Sequence, residues 1–318
     1  MFIHPRYSVV IPFYLEGETV EKMITAVRTA LTGMNEPYEI ICIDDGSPDT
    51  TWDTIQRIAH ANSDVRAIRF SRNFGKESAI CAGLEIARGD FVITLDGDLQ
   101  HPPELIPEFI RIQKETGAHI IDGVKESRGK EPFITKLGVR AFYFLINKLS
   151  GYDLAGASDY KLLSRTALNA WCALPEKRTF YRGMSAWIGF KRAEVRFSVA
   201  PRQQGMTKWS FIRLIKLGIS SITSFSSFPL HFVTLLGFLF LLFAIGLGIQ
   251  TLYRKFTGTA VSGFTTVILL QLIIGSLVMI GVGIAGEYIG KIYDEVKYRP
   301  RYIIAEKINC ENDNEKKK

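Results

Sequence analysis

The chain has 318 residues, 47% of them hydrophobic and 22% charged, with a formal net charge of +7, so it is long enough for a sizeable core and for more than one domain. The excess of Lys and Arg points to acidic partners such as phosphates or anionic headgroups, and the lack of a helix-turn-helix signature, zinc-finger spacing or aromatic–glycine RNA motif argues against nucleic acid. Cys42, Cys81, Cys172 and Cys310 are scattered and form no CxxC pair, which speaks against a disulfide framework or a zinc site.

From the N-terminus, residues 1–6 lead straight into a short apolar run, a first strand and not a signal peptide. Residues 7–11, 39–43, 65–70 and 91–95 are β-rich, and 18–31, 51–61 and 78–87 between them have helical periodicity. Strand and helix in rotation predict an α/β domain, over 1–207, on a mainly parallel sheet. In such sheets ligands gather at the carboxyl ends of strands. Four polar stretches occupy those ends: 12–16, 44–47, 71–76 and 96–100.

Residues 208–228 mix Trp209, Phe211, Ile212, Leu214 and Ile215 with Lys208, Arg213 and Lys216, which predicts an amphipathic helix lying along a membrane interface. There is no Asp, Glu, Lys or Arg between Lys216 and Arg254, nor between Lys255 and Glu287. Each stretch can supply the ~20 apolar residues that cross a bilayer. They predict a two-helix transmembrane domain over 229–290, with spans near 232–252 and 266–285 and a loop around 254–263. Residues 291–318 read as a tail whose last part, 309–318, is polar and expected to be disordered. Lys208, Arg213, Lys216, Lys291, Lys297, Arg299 and Arg301 flank the pair, against Arg254 and Lys255 in the loop. That bias favours both termini in the cytoplasm.

The strongest chemical signal is Phe91-Val92-Ile93-Thr94-Leu95-Asp96-Gly97-Asp98-Leu99-Gln100. Two carboxylates end an apolar strand, and in an extended chain i and i+2 side chains point the same way. Such a pair calls for a cation, and Mg2+ or Mn2+ completed by substrate phosphates suits it. Asp44-Asp45-Gly46-Ser47 closes another strand; it is a plain turn signal as well as a place where a carboxylate could accept hydrogen bonds from a base or ribose.

Together Val9-Val10-Ile11-Pro12-Phe13-Tyr14-Leu15-Glu16, Asp44-Asp45-Gly46-Ser47, Ser71-Arg72-Asn73-Phe74-Gly75-Lys76 and Asp96-Gly97-Asp98-Leu99-Gln100 closely resemble the family-2 glycosyltransferases of GT-A (Rossmann-like) fold. The nearest look is to the polyprenyl-phosphate sugar transferases, the group of dolichyl-phosphate mannose synthases and bactoprenol glucosyltransferases. The resemblance covers about residues 5–210, and the two spans look like the bactoprenol branch. It implies inverting transfer of glucose from UDP-glucose to a polyprenyl (undecaprenyl-type) phosphate at the cytoplasmic face of a lipid bilayer, with GDP-mannose the next donor. A polysaccharide synthase or an inactive membrane scaffold are the rivals.

By the same resemblance Pro12, Tyr14, Glu16, Asp45 and Lys76 would hold the nucleotide sugar. Asp96, Asp98 and Gln100 would hold the metal, with Asp96 also contacting the diphosphate. Asp159, in Gly156-Ala157-Ser158-Asp159-Tyr160-Lys161, would be the acceptor-side base or an orienting group. Arg128, Arg140, Arg202 and Lys208 are candidates for the lipid phosphate, for which cations are required.

Gly281-Val282-Gly283-Ile284-Ala285-Gly286 spells GxGxxG but lies inside the second span with no strand before it, which excludes a dinucleotide fingerprint. Gly286 and Gly290 instead form a small-xxx-small pair suited to helix packing, between subunits of a homo-oligomer included.

Overall fold

The computed structural model describes residues 4–125, 157–177, 179–197, 228–258 and 263–310. They fall into two units. The first holds everything up to 197 together with 299–310, so the chain leaves this unit and comes back to it.

Eight strands form its sheet: β1 (Tyr7–Phe13), β2 (Tyr38–Asp44), β3 (Val65–Phe70), β4 (Phe91–Thr94), β5 (Ile120–Lys125), β6 (Ala157–Ser164), β7 (Arg192–Phe197) and β8 (Ile304–Ile308). Among the described residues six α-helices accompany them: α1 (Val20–Thr32), α2 (Thr51–Ala61), α3 (Lys76–Ile86), α4 (Ile106–Thr116), α5 (Arg165–Cys172) and α6 (Tyr181–Trp187). The strand order is β7-β5-β6-β4-β1-β2-β3-β8. The β1–β2, β2–β3, β1–β4 and β5–β7 pairs are parallel, and β6 and β8 run antiparallel to their neighbours. This is the α/β, GT-A-type sheet the sequence led us to expect.

The central strands are apolar on both faces because helices cover both. All seven residues of β1 are buried. Helix α1 buries Val20, Met23, Ile24, Val27 and Leu31, one stripe at helical spacing, against one face of the sheet. Helix α3 packs Ala79, Ile80, Ala82 and Leu84 into the cluster on the other face.

The site follows from where β1 and β4 part. They pair from Tyr7↔Phe91 to Val10↔Thr94, and the last bond runs from Leu95 N–H to the Val10 carbonyl at 3.2 Å. Beyond it β1 continues only beside β2, with Pro12 opposite Ile43. Proline is tolerated at that point because the side facing β4 no longer needs an N–H donor. The connections from β1 run towards β2 and β3, while β4 lies on the other side, so a crevice opens at the carboxyl ends of β1 and β4, the topological switch point.

Three details depart from the sequence reading. Strand β4 stops at Thr94, so Asp96 and Asp98 stand on a turn and not on an extended run. Asp159, which the sequence pattern places on no element, lies on strand β6. Strand β8 lies within 291–318, where the sequence predicts only a tail.

The second unit contains α7 (Phe228–Phe256) and α8 (Phe264–Val296). The spans expected at 232–252 and 266–285 lie inside them. Stretches of 27 residues in each, Leu230–Phe256 and Leu270–Val296, are long and apolar enough to cross a membrane. Their large side chains are uncovered: Phe238 is 61% exposed and Leu272 62%. At 33 residues α8 is about 50 Å long against the ~30 Å of a hydrocarbon core, so its charged end, from Glu287 on, can project beyond it. The two helices approach closely at Gly281, where a Cβ would stand 3.1 Å from Val233 Cγ1. A Cβ on Gly286 or Gly290 would meet nothing within 4 Å, leaving the proposed packing pair unfilled within the described residues. Apart from Phe228, the amphipathic segment 208–228 lies outside the described residues.

Candidate active site

Glu16 follows β1, and Asp96 and Asp98 follow β4, so the crevice brings three carboxyl groups together. Gly97 permits the approach, since a Cβ there would run into Glu16 Oε2 and the Phe13 ring. Burial pushes the Glu16 carboxyl up to about 8, helped by the charges of Asp98 and Asp96. Glu16 Oε2 and Asp96 Oδ1 are buried and accept no aligned hydrogen bond. Asp98 Oδ1 accepts the Gln100 N–H at 3.0 Å, a turn that holds Leu99 at φ 59°. Leucine in the left-handed region costs about 1 kcal/mol or more, the kind of strain kept at working sites. Behind the turn, His101 Nδ1 accepts the Asp96 N–H at 3.1 Å, and burial lowers its pKa to about 4, so the ring is neutral at pH 7.

Among the described residues Lys76, the first of α3, faces these acids. Its Nζ lies 2.6 Å from Asp96 Oδ1 and 2.5 Å from Asp159 Oδ2. Burial alone would lower the lysine pKa, but Asp96 and Asp159 outweigh it and hold the ammonium charged. Asp159 is held from the other side by Arg182, in the first turn of α6, through Nε to Oδ1 at 2.6 Å and Nη2 to Oδ2 at 2.9 Å. Burial would raise the Asp159 pKa; the Arg182 hydrogen bonds and the Lys76 charge reverse that and hold it far below the usual carboxylate range. A carboxylate so clamped is a poor proton acceptor. Thr94 Oγ1 donates to the Asp159 carbonyl at 2.5 Å and lies 3.0 Å from the Tyr181 hydroxyl. Glu77 accepts the Tyr181 N–H at 2.8 Å, which fixes the start of α6 and with it Arg182.

Asp45 is 3% exposed and spans two loops. Its Oδ1 accepts the Phe74 N–H at 2.7 Å, and its Oδ2 accepts the Gly75 N–H at 2.9 Å, placing an anion at the start of α3 where free N–H groups collect. Gly46 makes this contact possible: at φ 66° any Cβ would strike the Arg72 backbone. The neighbouring Asp44 accepts the Ser47 N–H at 3.1 Å, and Ser47 Oγ accepts the Leu15 N–H at 3.1 Å, which ties the stretch before Glu16 to the same turn.

Of the residues picked from sequence, Glu16, Lys76, Asp96, Asp98 and Asp159 meet in one network, with Asp45 bracing the loop that carries Lys76. Pro12 is buried at the parting of β1 and β4. Gln100 is 8% exposed, with Nε2 unbonded. Tyr14 is 42% exposed. Arg128, Arg140, Arg202 and Lys208 lie outside the described residues. Sequence reasoning missed Arg182, Glu77 and His101. Of these only His101, directly after the Asp96–Gln100 motif, had a positional hint.

The residues at the crevice fit a divalent cation. Among the described residues no three His, Cys, Asp or Glu side chains gather into a metal cage. A Mg2+ or Mn2+ held by one or two carboxylates, with phosphate and water oxygens completing the shell, needs none. Glu16 Oε2, which has no hydrogen-bond partner, and the Asp96 and Asp98 carboxylates beside it supply the hard oxygen donors that such an ion takes.

Comparison with known proteins bears on the whole chain. Residues 8–170 match the family model described as Glycosyl transferase family 2. The chain is 35% identical over 301 residues to the prophage bactoprenol glucosyl transferase homolog of Escherichia coli, covering 94% of this chain and 98% of that one. It is 35% identical over 304 residues to the bactoprenol glucosyl transferase of Shigella phage SfII, covering 94% and 97%. Among solved structures it is similar to glucosyl-3-phosphoglycerate synthase from Mycobacterium tuberculosis in complex with Mn2+, uridine diphosphate and phosphoglyceric acid, with a TM-score of 0.48, 22% identity and coverage of 68% and 75%. With the strand-end motifs in one crevice and the family match over half its length, the chain belongs to glycosyl transferase family 2.

Proposed function

We propose that the chain transfers glucose from UDP-glucose to a polyprenyl phosphate of undecaprenyl type, with inversion, at the cytoplasmic face of a membrane. The observation that carries this reading is the acidic crevice of Glu16, Asp96 and Asp98, faced by Lys76 2.6 Å from Asp96 Oδ1. Such an arrangement suits a diphosphate leaving group and its counter-ion. The choice of glucose and of the lipid acceptor draws on relatives named bactoprenol glucosyl transferase.

In this reading Pro12, Tyr14, Glu16 and the Asp45 turn form the nucleotide pocket. Asp96, Asp98 and Gln100 would hold Mg2+ or Mn2+, which would supply positive charge to the diphosphate leaving group. Lys76 adds a second positive charge there. An oxygen of the acceptor phosphate bonds to the anomeric carbon of glucose as the bond from that carbon to the nucleotide β-phosphate oxygen breaks, and UDP leaves. The acceptor is already ionised at neutral pH, so no strong base is needed. Asp159, fixed by Lys76 and Arg182, acts by holding those two cations in place, and catalysis rests on position and charge. Arg128, Arg140, Arg202 and Lys208 are assigned to the lipid phosphate.

Chain order supports the membrane side. The globular unit takes in residues both before and after α7 and α8, so two crossings return the chain to the side it left. The basic flanks Lys291, Lys297, Arg299 and Arg301 against Arg254 and Lys255 favour the cytoplasm for that side. Gly286 and Gly290 remain available for packing between subunits.

The test is to give the full chain in lipid vesicles labelled UDP-glucose or GDP-mannose, with and without undecaprenyl phosphate. Glucose entering the lipid fraction only with the lipid phosphate is expected. Mannose instead would move the donor assignment, and nucleotide diphosphate release indifferent to the lipid would overturn the acceptor.

A further inference from the structure

After the second long helix the chain returns to the sheet of the first unit. Strand β8 pairs antiparallel with β3, and its register sets Glu306 directly opposite Arg69. Opposite charges at such a position attract across the ladder. Arg69 Nη1 donates to Glu306 Oε1 at 3.1 Å, and Trp52 Nε1 donates to Glu306 Oε2 at 3.3 Å. The same arginine reaches inward, with Nε 3.5 Å from Asp44 Oδ2. Asp44 is fully buried, and burial raises its pKa, so a guanidinium beside it helps to keep it charged. Asp44 in turn holds Ser47, the turn that contains Asp45.

A second route reaches the same turn. Ser71 N–H donates to the Ile303 carbonyl at 2.9 Å. Tyr302 stacks on Phe70 at 4.8 Å between ring centroids, and its hydroxyl donates to Glu85 at 2.8 Å. Arg301 Nη2 donates to the Leu174 and Glu176 carbonyls at 2.9 and 2.6 Å. The Ile303–Ser71 and Tyr302–Phe70 contacts fix the start of the 71–75 loop, whose Phe74 and Gly75 N–H groups grip Asp45. Asn309 Nδ2 donates to the Ala59 and Val65 carbonyls at 2.8 and 2.7 Å, and Ile308 and Cys310 are buried in the core, so the segment is anchored beyond the strand too.

We propose that residues 301–310 are a positioning strap for the donor nucleotide, in which Glu306 acts through Arg69 and Asp44, and Ile303 through Ser71, on the Asp45 turn. The two-helix segment is then an insertion between parts of one nucleotide-binding unit, and the donor site is complete only once the chain has come back from it. The proposal rests on reading the Asp45 turn as the nucleotide site. Glu306 is a positioning residue and touches no substrate.

The test uses the full chain in detergent and UDP with Mn2+ as the probe, in wild type, Glu306→Ala, Glu306→Gln, Arg69→Met, Glu306→Ala/Arg69→Met and Asp45→Ala. Glu306→Ala is expected to weaken UDP binding at least fivefold and to raise KM for the donor by a similar factor, with kcat changed less than twofold. Glu306→Gln keeps an acceptor for Trp52 but loses the charge facing Arg69, and is expected about halfway on a logarithmic scale; it carries the test if the alanine variant does not fold. The double variant is expected to bind no worse than the weaker single one. UDP affinity within twofold of wild type in both Glu306 variants, even with a lowered Tm, would overturn the strap and leave a merely structural edge strand. If instead Asp45→Ala binds UDP as well as wild type does, the nucleotide site has been misplaced, and that outcome is read apart from the Glu306 result.

Discussion

Replacing Arg182 by Met removes both hydrogen bonds that hold Asp159, at 2.6 and 2.9 Å, and keeps the length of the stem. The Asp159 side chain is 6% exposed, whereas Arg182 is 36% exposed. Stripping one partner from a fully buried pair costs about 3–5 kcal/mol. Here Lys76 stays 2.5 Å from Asp159, and water already screens part of Arg182, so we expect about 2 kcal/mol. For a unit of this size that is a fall of about 4–8 °C in Tm. Asp159→Asn should cost a similar amount, because it leaves Lys76 and Arg182 facing each other without the acid between them. The double variant should fall short of the sum by at least about 1 kcal/mol, the coupling of two residues that act as a pair. Thermal unfolding of the four proteins in one detergent measures this, and additivity within about 0.5 kcal/mol would refute the clamp. Kinetics give a second reading. With Asp159 ionised throughout, Asp159→Asn should lower activity equally across pH 5–8. A deficit that grows as pH rises from 5 to 8 would instead show Asp159 titrating in that range and accepting a proton.

Two further outcomes follow from the same geometry. Asp98→Ala should abolish turnover, by about a thousandfold or more in line with loss of a metal ligand at a leaving group, while Tm stays near wild type; full activity would contradict the metal assignment. Glu77 is half-buried, and its pKa rises from 4.5 to about 7, desolvation being the main cause and the Asp159 charge the next, with the Tyr181 N–H opposing them. The folded protein then binds more protons than the unfolded chain between those values, so the contribution of Glu77 to stability is greatest below pH 4.5 and is lost as pH rises towards 7 and beyond. The full loss is about 3 kcal/mol. Glu77→Gln keeps an acceptor for Tyr181 and should flatten this part of the Tm-against-pH curve; an unchanged slope between pH 5 and 7.5 would show that Glu77 is not its source.

The four strand-end motifs were legible because apolar, β-branched runs stop abruptly at acids and glycine, and a parallel sheet turns that pattern into an address. The long helices were legible from their freedom from charge. Strand β6 was not, because Asp159 and Lys161 look like loop residues until their partners are known: Lys76 and Arg182 for one, Asp122 for the other. Those partners lie 83, 23 and 39 positions away, beyond any local periodicity. Strand β8 was hidden for a related reason. Ile-Ala-Glu-Lys-Ile is short and half polar, and its Glu306 belongs to Arg69 and Trp52, 237 and 254 residues earlier. Arg182 sits on a seven-residue helix too short to show a pattern. Whether the chain stays extended through Asp96–Asp98 was not legible because Gly97 fits strand and turn alike, and the contact with Glu16 that decides between them is tertiary.

In the proposed reaction, carboxylates at the parting of β1 and β4 would hold a divalent cation against the departing nucleotide while sugar passes to a lipid phosphate. The most direct measurement follows labelled glucose from UDP-glucose into undecaprenyl phosphate by the purified chain, first in excess chelator and then as Mn2+ or Mg2+ is titrated back. Transfer should be lost in chelator, return in step with free metal, and fail to return in Asp98→Ala. Undiminished transfer in chelator would contradict the account.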